Sequence, residues 1–144
     1  MPRTIETVTL ADSRSLLAAG RAKAEELGIA YNLAVVDAGG NLVAFERMDG
    51  AWVGSIDIAL HKAFTARAFD MATDKLGAMA TPDKSLFGIQ NTNHGHVVIF
   101  GGGVPLKHDG KVIGAVGVSG GQVEQDLKVV EAAVSAFEKE LEAA

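Results

Sequence analysis

The segment that most constrains the fold is Phe100–Gly121, FGGGVPLKHDGKVIGAVGVSGG, in which eight of the 22 residues are glycine. Its apolar residues are mostly β-branched, which favours an extended backbone. His108-Asp109-Gly110 lies midway, and Asp-Gly supplies the left-handed conformations that a two-residue hairpin turn requires. The segment therefore predicts two antiparallel strands, Val104–Lys107 and Lys111–Val118, with glycines at both ends of the hairpin.

Two further glycines, Gly114 and Gly117, lie inside the second of these strands. Glycine weakens strand pairing, and it often marks a place where another backbone or a ligand comes close. Ordinary turn chemistry and close packing explain the glycines of this segment equally well. The sequence leaves both interpretations open.

The rest of the chain alternates helical and extended patterns. A helix is predicted from Leu10 to Leu27, with Thr9 or Asp12 as its cap and Gly28 at its end. The other predicted segments are strands at Thr4–Thr9, Ile29–Val36, Leu42–Met48 and Val97–Phe100, helices at Val53–Met71 and Gln122–Ala143, and helical turns at Lys75–Ala80 and Thr81–Gly88. No strand–helix–strand unit requires a parallel crossover. The order predicts one α+β domain over residues 1–144, with about five antiparallel strands and helices packed on them.

Composition narrows the classes of partner. The net charge is −5 and the 13 basic residues are scattered, which disfavours a nucleic-acid partner. The absence of cysteine excludes disulfides, thiolate metal sites and cysteine nucleophiles. No stretch has the length of a signal peptide core or a membrane span. We therefore expect a cytoplasmic protein with a small-molecule ligand and no membrane partner.

The histidines are the main candidates for chemistry. His61 follows Asp57 by four residues on the second helix, so the two side chains can pair. His94 and His96 form His-x-His at the edge of a predicted strand, where alternate residues share a face and can chelate a metal. Imidazole is also the usual proximal ligand of haem iron, so any of these three is a candidate axial ligand, as is a methionine. Ordinary surface histidines remain the alternative, and His108, in the turn, is predicted to be exposed.

Other polar groups give weaker signals. Lys62 and Arg67 are candidate cations for haem propionates, or part of a solvated helix face. Ser119-Gly120-Gly121 precedes the last helix, whose free N–H groups suit a carboxylate or phosphate, although Ser119 as a simple helix cap explains it too. An enzyme of small-carboxylate or aromatic ring-cleavage catabolism would hold its acid there and move a proton with His61 or His94.

Three segments resemble the GlcG/HbpS family: NLAVVDAGGNLVAFERMDGA, IALHKAFTA and the glycine-rich segment. This family includes the C-terminal domain of PduO-type proteins and carries the label haem-degrading. The resemblance runs from about Tyr31 to the last helix. It implies a profilin-like α/β sandwich with a five-stranded antiparallel sheet, homo-oligomers from dimers to octamers, haem or corrinoid binding, and genes in catabolic clusters.

Two family motifs match individual residues of this sequence. Lys62, Ala63 and Thr65 match KAxTA, and Gly102, Gly103 and Pro105 match GGxP. The resulting hypothesis is a small oligomeric haem-binding protein for haem handling or redox sensing, with its pocket between the second helix and the glycine-rich hairpin. The enzyme described above and an assembly module without a ligand remain alternatives. The candidate binding residues are His61, Lys62, Thr65, His94, His96, Gly102, Gly103, Pro105, Ser119 and Gly120.

Overall fold

The computed structural model describes residues 1–144 as a four-stranded antiparallel sheet with helices on both faces. The strand order is β2-β1-β4-β3. Helix α2 packs on one face of the sheet, and α1 and α4 pack together on the other. No helix combines the length and apolar character needed to cross a membrane. The elements are α1 Leu10–Leu27, β1 Asn32–Asp37, β2 Leu42–Arg47, α2 Gly54–Phe69, α3 Thr73–Ala78, β3 Gly103–His108, β4 Lys111–Ser119 and α4 Val123–Ala143.

The predicted α+β class with antiparallel strands is confirmed, but the fifth strand is wrong. Val97–Phe100 is not a strand, because its backbone is hydrogen-bonded to a side chain of α2 instead of to a neighbouring strand. The Val98 N–H donates to Thr65 Oγ1 at 3.0 Å, and that hydroxyl donates to the His96 carbonyl at 3.3 Å. This segment is therefore attached to α2 rather than to the sheet.

Two other predicted elements are also absent. In Thr4–Thr9, the Val8 N–H donates to the Ile113 carbonyl at 3.0 Å, and no strand forms. Thr81–Gly88 forms turns instead of a helix, whereas the predicted turn at Lys75–Ala80 corresponds to α3. Short segments such as these lack the repeated periodicity that made the longer helices predictable.

The predicted caps of α1 and the predicted turn between β3 and β4 are confirmed. The Thr9 side chain accepts from the Asp12 N–H at 3.1 Å, and Asp12 accepts from the Thr9 N–H at 3.1 Å, which completes a capping box. Gly28 ends α1 with φ 71°. Asp109 and Gly110 both have positive φ, as a two-residue hairpin turn between β3 and β4 requires.

The face of the sheet under α2 is lined by small residues. The core on this side is built from Ala34, Val36, Ala63, Ala66 and Ala115, whereas larger aliphatic side chains fill the side facing α1 and α4. The small side chains allow the α2 backbone to approach the strands closely.

Two paired glycines mark the closest approach. Gly103 on β3 lies opposite Gly117 on β4. A Cβ at Gly117 would overlap the backbone of Ala59 and Ala63, and one at Gly103 would overlap the Lys62 carbonyl. The α2 backbone therefore contacts the hairpin directly. This contact leaves no space for the pocket that was predicted between the helix and the hairpin, so that placement was wrong. Glycine at these two positions allows the α2 backbone to come close to the sheet.

The outer edge of β3 is largely closed to further strand pairing. The Gly103 N–H donates to Thr73 Oγ1 at 3.0 Å, and Pro105 has no N–H to offer. Lys107 places a charge on the same edge. The opposite edge, β2, contains no proline.

His108, which was predicted to be exposed, keeps 36% of its side chain exposed and also links the hairpin to the N-terminal segment. Its Nδ1 lies 2.7 Å from Glu6 Oε1. The hydrogen bond to Glu6, with the charges of Asp109 and Glu6 adding to it, raises the pKa of His108 above its ordinary 6.5. Because the folded-state pKa is raised, this contact stabilises the fold below the unfolded pKa, and the stabilisation is lost as the pH rises through the folded pKa.

We expect Glu6→Gln to lower the pKa of His108 in an NMR titration, because the hydrogen-bonding anion is removed. The same variant should be less stable than the wild type to thermal denaturation at about pH 5 and equal to it at about pH 9. Glu124→Gln, a change in another acidic residue, serves as the control. An unchanged His108 titration in Glu6→Gln would contradict the assignment.

Candidate functional site

Three of the four histidines lie together against α2. The rings of His61 and His96 are stacked, with centroids 4.2 Å apart and planes 10° from parallel. The His94 ring is 6.1 Å from that of His96, and Phe64 meets His96 edge-on at 6.4 Å. The structure therefore brings His61 together with the His94 and His96 pair, which the sequence suggested as a separate candidate.

His94 and His96 are carried by short turns rather than by a strand. One 3-10 turn covers Ile89–Asn91 and the next covers Asn93–Gly95, with His94 in the left-handed region at φ 58°. The bonds of Thr65 to this segment hold His96 beside α2. The predicted shared strand face of His94 and His96 was therefore wrong. Nowhere in the chain do three or more His, Asp or Glu side chains come together in a way that could hold a metal ion.

His61 has a polar partner of its own. Its Nδ1 lies 3.1 Å from Asp57 Oδ2, which confirms the predicted pairing along the helix. With the carboxylate beside Nδ1, Nε2 is the ring nitrogen that remains available to another group. The His61 side chain is 22% exposed, so a ligand on the surface of α2 can reach it.

Lys62, the next residue, faces the opposite way and is fully buried. Its Nζ donates to the Val118 carbonyl at 2.9 Å and to Asp126 Oδ2 at 2.8 Å, and it lies 5.0 Å from the centre of the Phe100 ring. Burial lowers the pKa of Lys62, and the Asp126 carboxylate opposes that change. Lys62 therefore joins α2 to β4 and α4, and its ammonium group faces partners within the chain instead of a ligand.

The Asp126 carboxylate also occupies the start of α4. Its Oδ1 accepts from the Gly121 N–H at 3.3 Å, so the chain's own acid lies where an external carboxylate was predicted. Ser119 is buried at the end of β4, and Gln122 is the actual cap of the helix. The contact between Asp126 and Lys62 gave no sequence signal, because 64 residues separate them.

The buried hydroxyl of Tyr31 completes this polar cluster. It lies near the Asp126 carboxylate without making a hydrogen bond. Burial, followed by the proximity of Asp126, raises the pKa of Tyr31. The phenol therefore stays protonated, and the cluster of Tyr31, Lys62 and Asp126 is internal to the fold.

The remaining predicted binding residues mainly serve packing. A Cβ on Gly102 would lie 2.6 Å from Lys62 Nζ, and one on Gly120 would lie 2.9 Å from the Tyr31 ring. Pro105 lies on the β3 edge, and Arg67 binds Asp70 and the Ala38 carbonyl. Of the ten predicted residues, only the three histidines combine ligand chemistry with access from the surface.

The outer face of α2, which carries His61, is apolar for a surface helix. We define this face as Val53, Asp57, Leu60, His61, Phe64 and Ala68, which recur at helical spacing opposite the buried alanines. Val53 is 73% exposed and the preceding Trp52 is 64% exposed. Apart from buried Lys62, the charged residues of α2 are Asp57 and Arg67. A helix that is apolar on both sides is typical of one covered on both sides.

None of the five main cavities of the chain adjoins this face. The five main cavities measure about 280 to 560 Å³, and none has a histidine in its lining. Charged side chains contribute to most of these linings. The histidine cluster therefore lies on an open surface.

Known proteins are similar to this chain in both sequence and architecture. A 15.0 kDa protein of Citrobacter freundii, encoded between dhaT and dhaS, is 47% identical over 133 residues, which cover 92% of this chain and 94% of that protein. The crystal structure of Klebsiella pneumoniae protein ORFY superposes with a TM-score of 0.93 at 42% identity, covering 95% of this chain and 94% of that one. The PduOC:haem complex superposes with a TM-score of 0.87 at 36% identity, covering 90% of this chain and 94% of that one.

The family model described as haem degrading protein HbpS-like matches residues 8–135, which include the whole sheet and most of α4. This agrees with the resemblance noted in the glycine-rich segment and in the strands before α2. The chain belongs to the HbpS-like family.

Proposed function

We propose that the protein binds haem on the outer face of α2, with the iron ligated by an imidazole, and that His61 is the first candidate ligand. The observation that carries this proposal is the 3.1 Å contact between His61 Nδ1 and Asp57 Oδ2, within the histidine cluster. Ligating histidines almost always have a carboxylate, carbonyl or water at the second ring nitrogen. His61 already has that arrangement, so Nε2 is the nitrogen left for iron.

The surroundings of His61 support the same proposal. Leu60, Phe64 and Val53 offer apolar surface to a porphyrin, whose burial is favourable at about 25 cal/mol per Å². A relative of 36% identity has been solved as a haem complex, and the family description refers to haem degradation. When bound, haem supplies an iron centre for redox or ligand-binding chemistry, which fits a role in haem handling or redox sensing.

We expect a haem titration followed by visible absorption to give a saturable Soret shift for the wild type and a loss of the shifted band in His61→Ala. Asp57→Asn should weaken haem binding about 10- to 100-fold, since it removes the carboxylate that orients the imidazole. His94→Ala and His96→Ala test the other two rings of the cluster. His108→Ala is the matched control, because this histidine is the last residue of β3 and its ring makes no contact with the cluster.

A weak, non-saturating shift in the wild type would contradict haem binding. Retention of the full shift in His61→Ala, with loss in His94→Ala or His96→Ala, would move the ligand to the turn segment. Equal shifts in all four histidine variants would exclude imidazole ligation.

The enzyme alternative receives less support. It requires free N–H groups at the start of α4 to hold a carboxylate substrate, but the Gly121 N–H donates to Asp126. Ser119 and Gly120 are buried, so a substrate would have to displace part of the fold to reach them.

A further inference from the structure

We propose that a cavity at the end of the sheet where β4 begins binds a small organic anion with a phosphate or carboxylate head group. Its volume of about 400 Å³ lies in the range of small-molecule sites. The N-terminal segment, the last turn of α2 and the start of β4 line it. None of the residues assigned to haem binding belongs to this lining, so the proposal does not depend on the proposed function.

The sign of its charge distinguishes this cavity from the others. Its lining contains three basic residues, Arg3, Arg67 and Lys111, and one acid, Glu6. In the other four main cavities the acidic residues equal or outnumber the basic ones, or no charged residue is present. The whole chain has a net charge of −5, so this excess of positive charge is local. A concave site lined mainly by one sign of charge concentrates ligands of the opposite sign.

Two of the three basic side chains have no ionic partner within the chain. Arg3 and Lys111 are exposed and form no ion pair. Arg67 differs, because it pairs with Asp70 and its Nε donates to the Ala38 carbonyl at 2.7 Å. We therefore assign the binding charge to Arg3 and Lys111, and Arg67 forms a fixed wall of the cavity.

The one acid of the lining already has a partner. Glu6 Oε1 lies 2.7 Å from His108 Nδ1, outside the group of residues that line the cavity. The same contact raises the pKa of His108 above 6.5, so the imidazole is cationic at about pH 6 and offsets the charge of Glu6. The acid therefore opposes an incoming anion less than a free carboxylate would.

Hydrogen bonds hold the N-terminal segment beside the sheet. The Val8 N–H donates to the Ile113 carbonyl at 3.0 Å, and Thr7 Oγ1 accepts from the Ala38 N–H at 2.9 Å. Both bonds follow directly after the lining residues 3–6, so the wall that these residues form is attached to the fold.

The uncharged part of the lining indicates the body of the ligand. Ile5 and Val112 are apolar, and Thr4 adds a hydroxyl. An anionic head group beside Arg3 and Lys111 and a short aliphatic or aromatic body beside the apolar side chains match this arrangement. Such a ligand combines charge attraction with the burial of apolar surface.

The probes for this site are phenyl phosphate and benzoate, titrated into the ¹⁵N-labelled protein at about pH 6 and low salt. We expect saturable NMR shifts at the amides of Ile5 and Val112 with at least one probe, and weaker binding as salt is added. Phenol, which has the body without the anionic head, should give no saturable shift.

Arg3→Gln and Lys111→Gln should each weaken binding about two- to fivefold, the range expected for one exposed charge pair. Lys84→Gln is the matched control, because Lys84 is also exposed but lines none of the five main cavities. The replaced side chains are all outside the core, and circular dichroism checks the fold of each variant.

The absence of a saturable shift with both probes would overturn the proposal. Binding of phenol as tight as that of the two anions would also overturn it, because the head group would then have no role. The same holds if Lys84→Gln weakens binding as much as Lys111→Gln, since the effect would then reflect the net charge of the chain. None of these results bears on haem binding, which the Soret titration decides separately.

Discussion

Lys62→Met is expected to destabilise the protein by about 3–5 kcal/mol, because the substitution leaves Asp126 as an unpaired buried charge. The Asp126 side chain is 3% exposed, and its other hydrogen bond is the 3.3 Å contact with the Gly121 N–H. Since domains of this size are stable by about 5–15 kcal/mol, such a loss is a large share of the total. Urea denaturation followed by circular dichroism measures it.

The matched control replaces both members of the pair. Lys62→Met combined with Asp126→Leu removes both charges and keeps apolar volume, so most of the lost stability should return. If the single variant is as stable as the wild type, or if the double variant is no better than the single, the ion pair is not the cause. The comparison separates the cost of an orphaned charge from the loss of packing around the lysine stem.

Gly117→Ala is expected to cost about 3 kcal/mol or more, because the added Cβ overlaps the backbone of Ala59 and Ala63 in α2. A backbone cannot give way as a flexible side chain does, so α2 as a whole would have to move from the sheet. Thermal denaturation measures the effect.

Gly54→Ala is the control for that substitution. Gly54 is the first residue of α2, its φ is not positive, and a Cβ there meets nothing within 4 Å. We expect this variant to be as stable as the wild type or slightly more stable. Equal stability of Gly117→Ala and the wild type would show that α2 is not held against β4 at this glycine.

Sequence patterns correctly predicted the caps, turns and side-chain pairs that depend on residues close together in the chain. The capping box of Thr9 and Asp12, the end of α1 at Gly28 and the Asp109-Gly110 turn each depend on residues within one turn of chain. The pairing of Asp57 with His61 is of the same kind, since helical spacing alone brings these side chains together.

The features that sequence reasoning missed depend on contacts between distant residues. Val97–Phe100 has strand-like composition, but its Val98 N–H donates a hydrogen bond to the Thr65 hydroxyl instead of to a strand. No local sequence pattern shows this contact. Lys62 matches a family motif, yet its partner Asp126 belongs to another helix. The sequence suggested His61 and the pair of His94 and His96 as separate candidates, but their clustering follows from how the turn before Val97 folds back onto α2.

The closed edge of β3 limits how these chains can aggregate. Growth of a fibre by strand addition needs two open edges on every molecule, one to receive a strand and one to offer it. Here Thr73 and Pro105 close one of the two, which leaves β2 as the open edge. We therefore expect that chains joining through their sheets pair at β2 and stop at two copies.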